Sequence, residues 1–556
     1  MIKSLTLRFG KAPALPVETF DCTPITVFVG PNNSGKSKVL QELHRFCTTG
    51  QVNSTDVILD RLEFEALPQN EAEDRIAAVT LRPRLTEALQ PKQIFVGKRN
   101  LRHQVNRQAS LSALMSPGSN APALCAWYLG YNTLILDGKS RISLVRQQPA
   151  GDLHEPPDSS FQLLFRDDSQ RKELRRIIHD AFGVYLVIDP TQLGQFRLRL
   201  SSVPPPSPMT ERGIHEEAVS FHAGAQLMEL GSDGLKAFTG MMTEIIAGDP
   251  SVLLIDEPEA FLHPALQFIL GQEVSRATAS SQKRLFVSTH SPNFVMGCVQ
   301  SGAPITVVRL TYRDGVATAR TLASGDLLRL MRNPLLRSTG VLAGLFYESV
   351  IVTESDADRA FYQEINERLL RDRPDRGIRN CLFLNAQNKQ TVPTIIRPLR
   401  ELGIPAAGIV DIDVIKEGGA VWAAAMNGAF LPDLERDATA HLRVGAKNKL
   451  EATGRDMKRD GGMELLSGTD REALENLFRR LGEYGLFVVP GGELESWLKS
   501  LGASGHGPQW LVDMFGRMGE DPASPDYIRS SDDDVWAFVA SIKDWLASPT
   551  RRGIPT

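Results

Sequence analysis

The sequence predicts an α/β protein of two successive domains, and three observations carry that expectation. An apolar run, Ile25-Thr26-Val27-Phe28-Val29, leads through a Gly-rich turn into the helical segment KVLQELHRF. A second apolar run, Val252 to Ile255, ends in the adjacent acids Asp256 and Glu257. Beyond about Leu345 a fresh series of strand-like and helix-like segments begins, again with acids where the strands stop. Short apolar runs alternating with helix-length segments are what a parallel sheet with crossover helices requires.

Composition bounds the reading. The 556 residues are enough for two or three domains, each able to bury a core. With 42% hydrophobic and 23% charged residues the chain is neither disordered nor fibrous, and a formal charge of −4 excludes a uniformly basic nucleic-acid coat. The five cysteines (Cys22, Cys47, Cys125, Cys298, Cys381) lie far apart with no CxxC pair, which argues against a disulfide framework and a thiolate zinc site and fits the cytosol. No apolar stretch approaches the roughly 20 residues of a membrane span, and MIKSLTLRFGKAPALPVETF lacks the core of a signal peptide. The expectation is a cytoplasmic protein with no membrane role.

Taken in order, IKSLTLRF alternates as a strand, residues 25–29 form a buried strand, and a helix follows. From Thr48 to Ser220 the signals are mixed. A compact insertion is expected there, with a hairpin over LGYNTLILDGKSRISLV turning at Asp137-Gly138, a charged helix over DDSQRKELRRIIHDAF and a Pro-rich loop at SSVPPPSPM. Strand and helix signals return at LKAFTGMMTEII, SVLLID, HPALQFILGQEV and RLFVST. The first domain then spans 1–344: a loop-bearing half (1–47), the insertion (about 48–220), a second half (221–310) and a connector (311–344). The second, 345–556, comprises the later α/β series and a helical C-terminal extension.

Gly30-Pro31-Asn32-Asn33-Ser34-Gly35-Lys36-Ser37 fits the phosphate-binding P-loop between a strand and a helix. Gly30, Gly35 and the Asn33-Ser34 turn let backbone N–H groups close on phosphates, Lys36 neutralises their oxygens, and Ser37 serves Mg²⁺. ATP is the expected ligand. Successive strand residues face opposite ways, so Asp256 is expected in the Mg²⁺ shell and Glu257 at the attacking water. His290, directly after RLFVST, is placed to reach the γ-phosphate.

In the second domain SVIVT ends in Glu354, with Asp358 four residues on, and GIV ends in Asp411-Ile412-Asp413. Parallel strands thus deliver several carboxylates to their carboxyl ends, where α/β folds place ligands. Such acids repel one another unless a cation neutralises them, so a hard divalent ion, Mg²⁺ or Mn²⁺, is expected, with phosphodiester chemistry as its use. Taken singly, each acid reads more readily as a helix N-cap or a surface group than as a metal ligand; it is the set that points to a cation.

The motif order in the first domain resembles the ABC-type ATPases, including the DNA-repair branch. The P-loop, the Asp256-Glu257 end and Ser288-Thr289-His290 match, and Leu230-Gly231-Ser232-Asp233-Gly234-Leu235-Lys236 stands where that superfamily carries its signature loop. Of the usual LSGGQ only Ser232 and Gly234 align; a plain helix-cap turn is the alternative. The resemblance implies a head-to-tail homodimer in which the signature of one copy completes the nucleotide site of the other. The second domain resembles Toprim, its glutamate at Glu354 and its DxD at Asp411 and Asp413, with Ser355 where that family usually has glycine. An ABC-type ATPase followed by Toprim resembles the OLD (overcoming lysogenization defect) nucleases, many of which act in antiphage defence. EPEAFLHP from Glu257 is similar to that family as well. Glu495, in VPGGELESW, resembles its later acidic motif, as a metal ligand or base. Lys389 and Lys499 are candidates for the lysine that family keeps near its metals.

The function so implied is an ATP-hydrolysing, divalent-metal-dependent DNA endonuclease. A sensor or scaffold ATPase with a non-cleaving second domain and a separately encoded effector partner is the alternative. Basic clusters at GKRNLRH with Arg107, and at RVGAKNKLEATGRDMKRD, are candidate DNA contacts or solvated faces.

Overall fold

The computed structural model describes residues 2–84, 87–98, 101–154 and 157–555. The chain divides into two compact units, Met1–Leu328 and Arg329–Thr556.

The first unit is organised by a six-stranded sheet in the order Val316–Leu322, Ile305–Arg313, Ile25–Val29, Arg284–Ser288, Val252–Asp256, Thr133–Leu136. All neighbours pair parallel except the first two strands, which form an antiparallel edge. Ile25–Val29 lies among these strands and is buried at every position, which explains its unbroken β-branched and aromatic run. Val252, Leu253, Leu254 and Ile255 are at most 1% exposed, and burying each contributes on the order of 2 kcal/mol. A three-stranded antiparallel sheet, Val17–Asp21, Ile2–Gly10 and Leu59–Phe64, shares a core with the Lys36–Thr49 helix. Buried Glu42 of that helix accepts the backbone N–H groups of Val57, Ile58 and Leu59 at 2.8–3.0 Å, tying the following loop to the P-loop helix.

The segment 48–220 departs from the expected hairpin. Thr133–Leu136 is a strand, but its partner is Val252–Asp256, parallel and distant in sequence. Asp137-Gly138 is no turn between strands: Asp137 caps the helix Gly138–Ser143, its carboxylate accepting from Lys139 N and Ser140 N in a capping box. An Asp followed three residues later by a hydroxyl donor serves a helix start as readily as a β-turn, and the sheet decides between them. The core sheet therefore draws a strand from inside the region expected as an insertion. The charged helix is Asp168–Phe182, capped by Asp167 and closed by Gly183 in the left-handed region.

The second unit is built on a four-stranded parallel sheet ordered Cys381–Asn385, Ser349–Thr353, Ala406–Val410, Leu486–Val488. The helices Asp356–Asp372, Pro508–Met518 and Asp534–Ala547 share one core, where Trp497 Nε1 donates to Tyr362 Oη at 2.9 Å. Arg400 is fully buried, and its guanidinium donates to the carbonyls of Ala406, Ala429, Tyr484, Gly485 and Gly553. Burial pushes it down to about 9; a buried cation is tolerated only with such a set of acceptors. All five cysteines are free thiols. Among the described residues no helix is long and apolar enough to cross a membrane.

Candidate nucleotide site and carboxylate cleft

The P-loop conformation explains its glycines. Gly30 and Gly35 have φ of 145° and 95°, and a Cβ on Gly30 would lie 2.0 Å from Leu310 O. Asn33 also has positive φ, 61°, which asparagine tolerates better than most residues. Gly35 begins the Lys36–Thr49 helix, and no described side chain caps it, so its first N–H groups point into the loop as an anion cradle. Lys36 Nζ donates to Gly30 O and Pro31 O at 2.9 and 2.7 Å and stands near Ser34 Oγ. Burial pushes this amine down to about 8, against the opposing pull of Glu257, Asp256 and Glu259. The donor set fits a nucleotide polyphosphate. Ser37 Oγ donates to Asp256 Oδ1 at 2.9 Å and Ser288 Oγ bonds the same oxygen, so the residues expected around Mg²⁺ already converge.

Glu257 is placed differently from the strand argument. The strand stops at Asp256, and Glu257 occupies a left-handed turn with φ of 50°. That turn, not strand alternation, directs its carboxylate, with Oε1 3.6 Å from His290 Nε2. Burial and then the charge of Lys36 lower the His290 pKa, favouring neutral imidazole. Nearby, buried Glu259 accepts from His290 N at 2.6 Å, joining the acid turn to the histidine turn. Burial raises its pKa. Ser232 is the N-cap of Asp233–Ile246, its Oγ accepting from Leu235 N at 3.3 Å, and a Cβ on Gly234 would meet Phe261 O at 2.6 Å. The helix-cap geometry is thus present in full, whatever else the turn does.

In the second unit segments far apart in sequence meet at one cleft, lined in part by Glu354, Asp358, Asp411, Lys458, Glu493, Glu495 and His506. Glu354 Oε1 accepts from Asp411 N at 2.9 Å, linking the ends of two neighbouring strands. Burial, then the neighbouring acids, drives the Glu354 carboxyl well above its ordinary range; burial does the same for Asp411, against the pull of Lys458. Asp358 and Ser355 form a capping box at the Asp356–Asp372 helix, Asp358 accepting from Ser355 N at 2.9 Å. Ser355 has φ of −132°, ordinary extended backbone, so this turn needs no glycine. Asp413 Oδ2 accepts from Lys389 Nζ at 2.8 Å, and Lys389 also pairs with Glu417. Asp413 Oδ1 is buried and finds no hydrogen-bond partner among the described residues. Raised carboxyls and an orphaned carboxylate oxygen are what a site shaped for a hard cation presents.

Lys458 lines the cleft although the sequence marks it only as one cation in a basic run. Its Nζ lies 2.8 Å from Asp411 Oδ2 and 3.8 Å from Glu493 Oε2, whereas Lys499 pairs with Glu464 and is largely exposed. Burial would lower the Lys458 pKa, but the charges of Asp411, Asp413 and Glu354 raise it overall. Only its position within RDMKRD, a charge run like many others, marked it. Glu495 Oε1 accepts from Gly507 N at 2.7 Å and lies 2.6 Å from His506 Nδ1. Together with Glu493 these groups are close enough to share one ion; Glu493 lies in the same VPGGELESW segment as Glu495, whereas His506 carried no distinguishing sequence pattern.

Of the basic clusters, Arg102 is committed to Glu87, and Arg99 and Asn100 lie outside the described residues. Arg443 donates to Ile415 O and Glu417 O, while Arg455 and Arg459 are exposed.

A P-loop between a parallel strand and a helix, joined in one chain to a parallel sheet with acids at its carboxyl ends, defines a phosphate-handling ATPase with a second, carboxylate-bearing unit. Residues 119–296 match the family described as "AAA domain, putative AbiEii toxin, Type IV TA system", and residues 345–413 match "Overcoming lysogenization defect protein-like, TOPRIM domain". The chain therefore carries a P-loop ATPase domain followed by an overcoming lysogenization defect protein-like TOPRIM domain. No curated protein matches it. Among solved structures it is similar to the SMC head domain from Thermotoga maritima, at 12% identity over 58% of this chain and 99% of that one, with a TM-score of 0.29. The Smc head domain of Pyrococcus furiosus bound to the C-terminal domain of ScpA gives 11%, 60%, 98% and 0.31.

Proposed function

We propose that this chain is an ATP-hydrolysing, divalent-metal-dependent DNA endonuclease in which nucleotide binding regulates cutting, with a role in antiphage defence. One observation carries the reading: strand ends and loops far apart in sequence bring Glu354, Asp411, Glu493 and Glu495 to one cleft with Lys458. A divalent cation bound there supplies charge neutralisation and a more acidic water. Glu354, Asp411 and Asp413 would hold it first, with Asp358 a further holder, and Lys458 would neutralise charge on the scissile phosphate. Glu495, oriented by Gly507 N–H and His506, takes the proton from the attacking water. Exposed Arg455 and Arg459 flank Lys458 and offer phosphate contacts for DNA.

In the ATPase unit Lys36 and the loop amides hold the phosphates, Ser37 and Asp256 the Mg²⁺ shell, Glu257 the water and His290 the γ-phosphate. The Ser232–Gly234 turn is assigned to the second copy in a homodimer, beside exposed Leu230. A second reading, a sensor ATPase whose TOPRIM domain does not cut but engages a separately encoded effector, is favoured by the lysines already neutralising Asp411 and Asp413. Incubation of supercoiled plasmid with Mg²⁺ or Mn²⁺, with and without ATP, separates the two. Nicking that is lost in both Glu354→Ala and Asp411→Ala supports the endonuclease; ATP turnover without nicking under every condition supports the sensor.

A further inference from the structure

Arg141 lies in the region expected as an insertion, yet it reaches the centre of the ATPase site. It is 1% exposed and sits on the Gly138–Ser143 helix, directly after the strand that pairs with Val252–Asp256. Its Nη1 donates to the main-chain carbonyls of Asp256 and Glu257, at 2.9 and 2.5 Å. Nε finds no partner among the described residues. Burial lowers its pKa, while the carboxylates of Glu259, Asp256, Glu257 and Asp137 oppose that shift.

A buried guanidinium is costly, and an apolar side chain would fill the same space at lower cost if filling were all that was required. Here its bonded donors go to the backbone of two adjacent functional residues. Glu257 is the residue that needs such support: a non-glycine side chain at φ of 50° costs roughly 1 kcal/mol or more and persists only where its surroundings over-determine it. Its N–H donates to Ser288 O at 2.8 Å, and its C=O is held by Arg141, so the main chain is fixed on both sides. The carboxylate, half-exposed, is thereby aimed toward His290. The helix beneath is close-packed as well, since a Cβ on Gly240 would come within 2.6 Å of Arg141 O.

We propose that Arg141 is a positioning residue for ATP hydrolysis, which sets the direction of the Glu257 carboxylate by clamping the carbonyls of Asp256 and Glu257. The inference rests on the ATPase reading of this site. It assigns a role in the water-activating step to a side chain that acts through the main chain of Asp256 and Glu257.

The full chain is compared with Arg141→Met, which keeps bulk without donors, and Arg141→Lys, which keeps charge on a shorter side chain whose ammonium falls short of the place Nη1 occupies between the two carbonyls. ATP turnover is expected to fall roughly tenfold to a hundredfold in Arg141→Met, since a displacement of about 1 Å at a reacting group costs that much. Affinity for a fluorescent, non-hydrolysable ATP analogue should stay within about threefold, a loss confined to turnover. Arg141→Lys should fall between. Without nucleotide, amide hydrogen exchange over residues 256–263 should rise in Arg141→Met while that of the Lys36–Thr49 helix stays unchanged. Turnover within about twofold of the intact chain, or affinity and turnover falling in equal proportion, overturns the proposal. So does unchanged exchange at the turn. If Arg141→Met fails to fold, Arg141→Lys decides by the same three readouts. An intact chain that turns over no ATP defeats the ATPase reading instead, and the exchange comparison still decides whether Arg141 holds the turn.

Discussion

The nucleotide site of the first unit and the carboxylate cleft of the second are made in opposite ways. The nucleotide site takes most of its groups from three short contiguous runs, 30–37, 256–259 and 288–290, each fixed by a strand end. The cleft assembles single residues from segments as far apart as Glu354 and His506. Contiguous motifs fix their geometry locally, through loop φ values and helix starts. A dispersed site depends on long-range packing, and here on lysines that hold mutually repelling acids together. The two sites should therefore fail differently when a residue is removed.

The largest effect is expected at the P-loop. Lys36→Ala removes the cation aimed at the phosphates and should lower ATP turnover on the order of a hundredfold or more, because preorganised charge in a dry site has no substitute. Steady-state phosphate release measures it, and turnover within a few-fold of the intact chain would break the assignment. Next comes the cleft. Asp411→Ala should abolish metal-dependent nicking while ATP turnover remains within about twofold, if the two chemistries are housed separately. Parallel loss of both would show that the contrast between the sites is too sharply drawn.

That contrast also explains what was legible beforehand. The α/β class, the P-loop ATPase and the TOPRIM strand ends could be read because parallel strands appear as unbroken apolar runs, and their carboxyl ends mark ligand positions. Glu354 and Asp411 directly follow such strands and line the cleft, and Asp413 lies in the turn that comes next. Lys458 comes from a loop after a helix, and His506 from a Gly-rich turn, so no periodicity or spacing signals either. Arg141 was hidden for a different reason. Its strand, Thr133–Leu136, pairs with residues about 120 positions later, and the local Asp-Gly pair is as good a helix cap as a hairpin turn.

A smaller effect is expected from pH. Glu354 and Asp411 have pKa values raised above their ordinary range in the folded chain, so the folded state holds protons that the unfolded chain has already released. Without divalent metal, stability from these groups is present at low pH and declines as pH rises above the ordinary carboxylate range. A bound cation displaces those protons, so stabilisation by Mn²⁺ should grow over the same interval. Calorimetric melting across a pH series, in chelator and in Mn²⁺, tests the sign. Stability in chelator that rises through that interval for the intact chain, yet not for Glu354→Gln, would contradict the assignment.

The finest comparison is between two serines with the same local task. Ser232 and Ser355 are both N-caps, each accepting from the N–H three residues on, but Ser355 shares a reciprocal box with Asp358. Losing either cap to alanine should cost about 1 kcal/mol, read by chemical denaturation. The effects beyond stability distinguish the two regions. If Ser232 also completes the nucleotide site of a second copy, Ser232→Ala should reduce ATP turnover more as protein concentration is lowered, because the weakened dimer dissociates. Ser355→Ala should leave turnover untouched at every concentration and instead weaken divalent-ion affinity by a few-fold at most, since the first helical turn that carries Asp358 loses its cap while the Asp358 carboxylate keeps the Ser355 N–H. Equal stability losses with no effect on either turnover or ion affinity would reduce both serines to helix caps, and the dimer assignment would then stand without its most direct structural support.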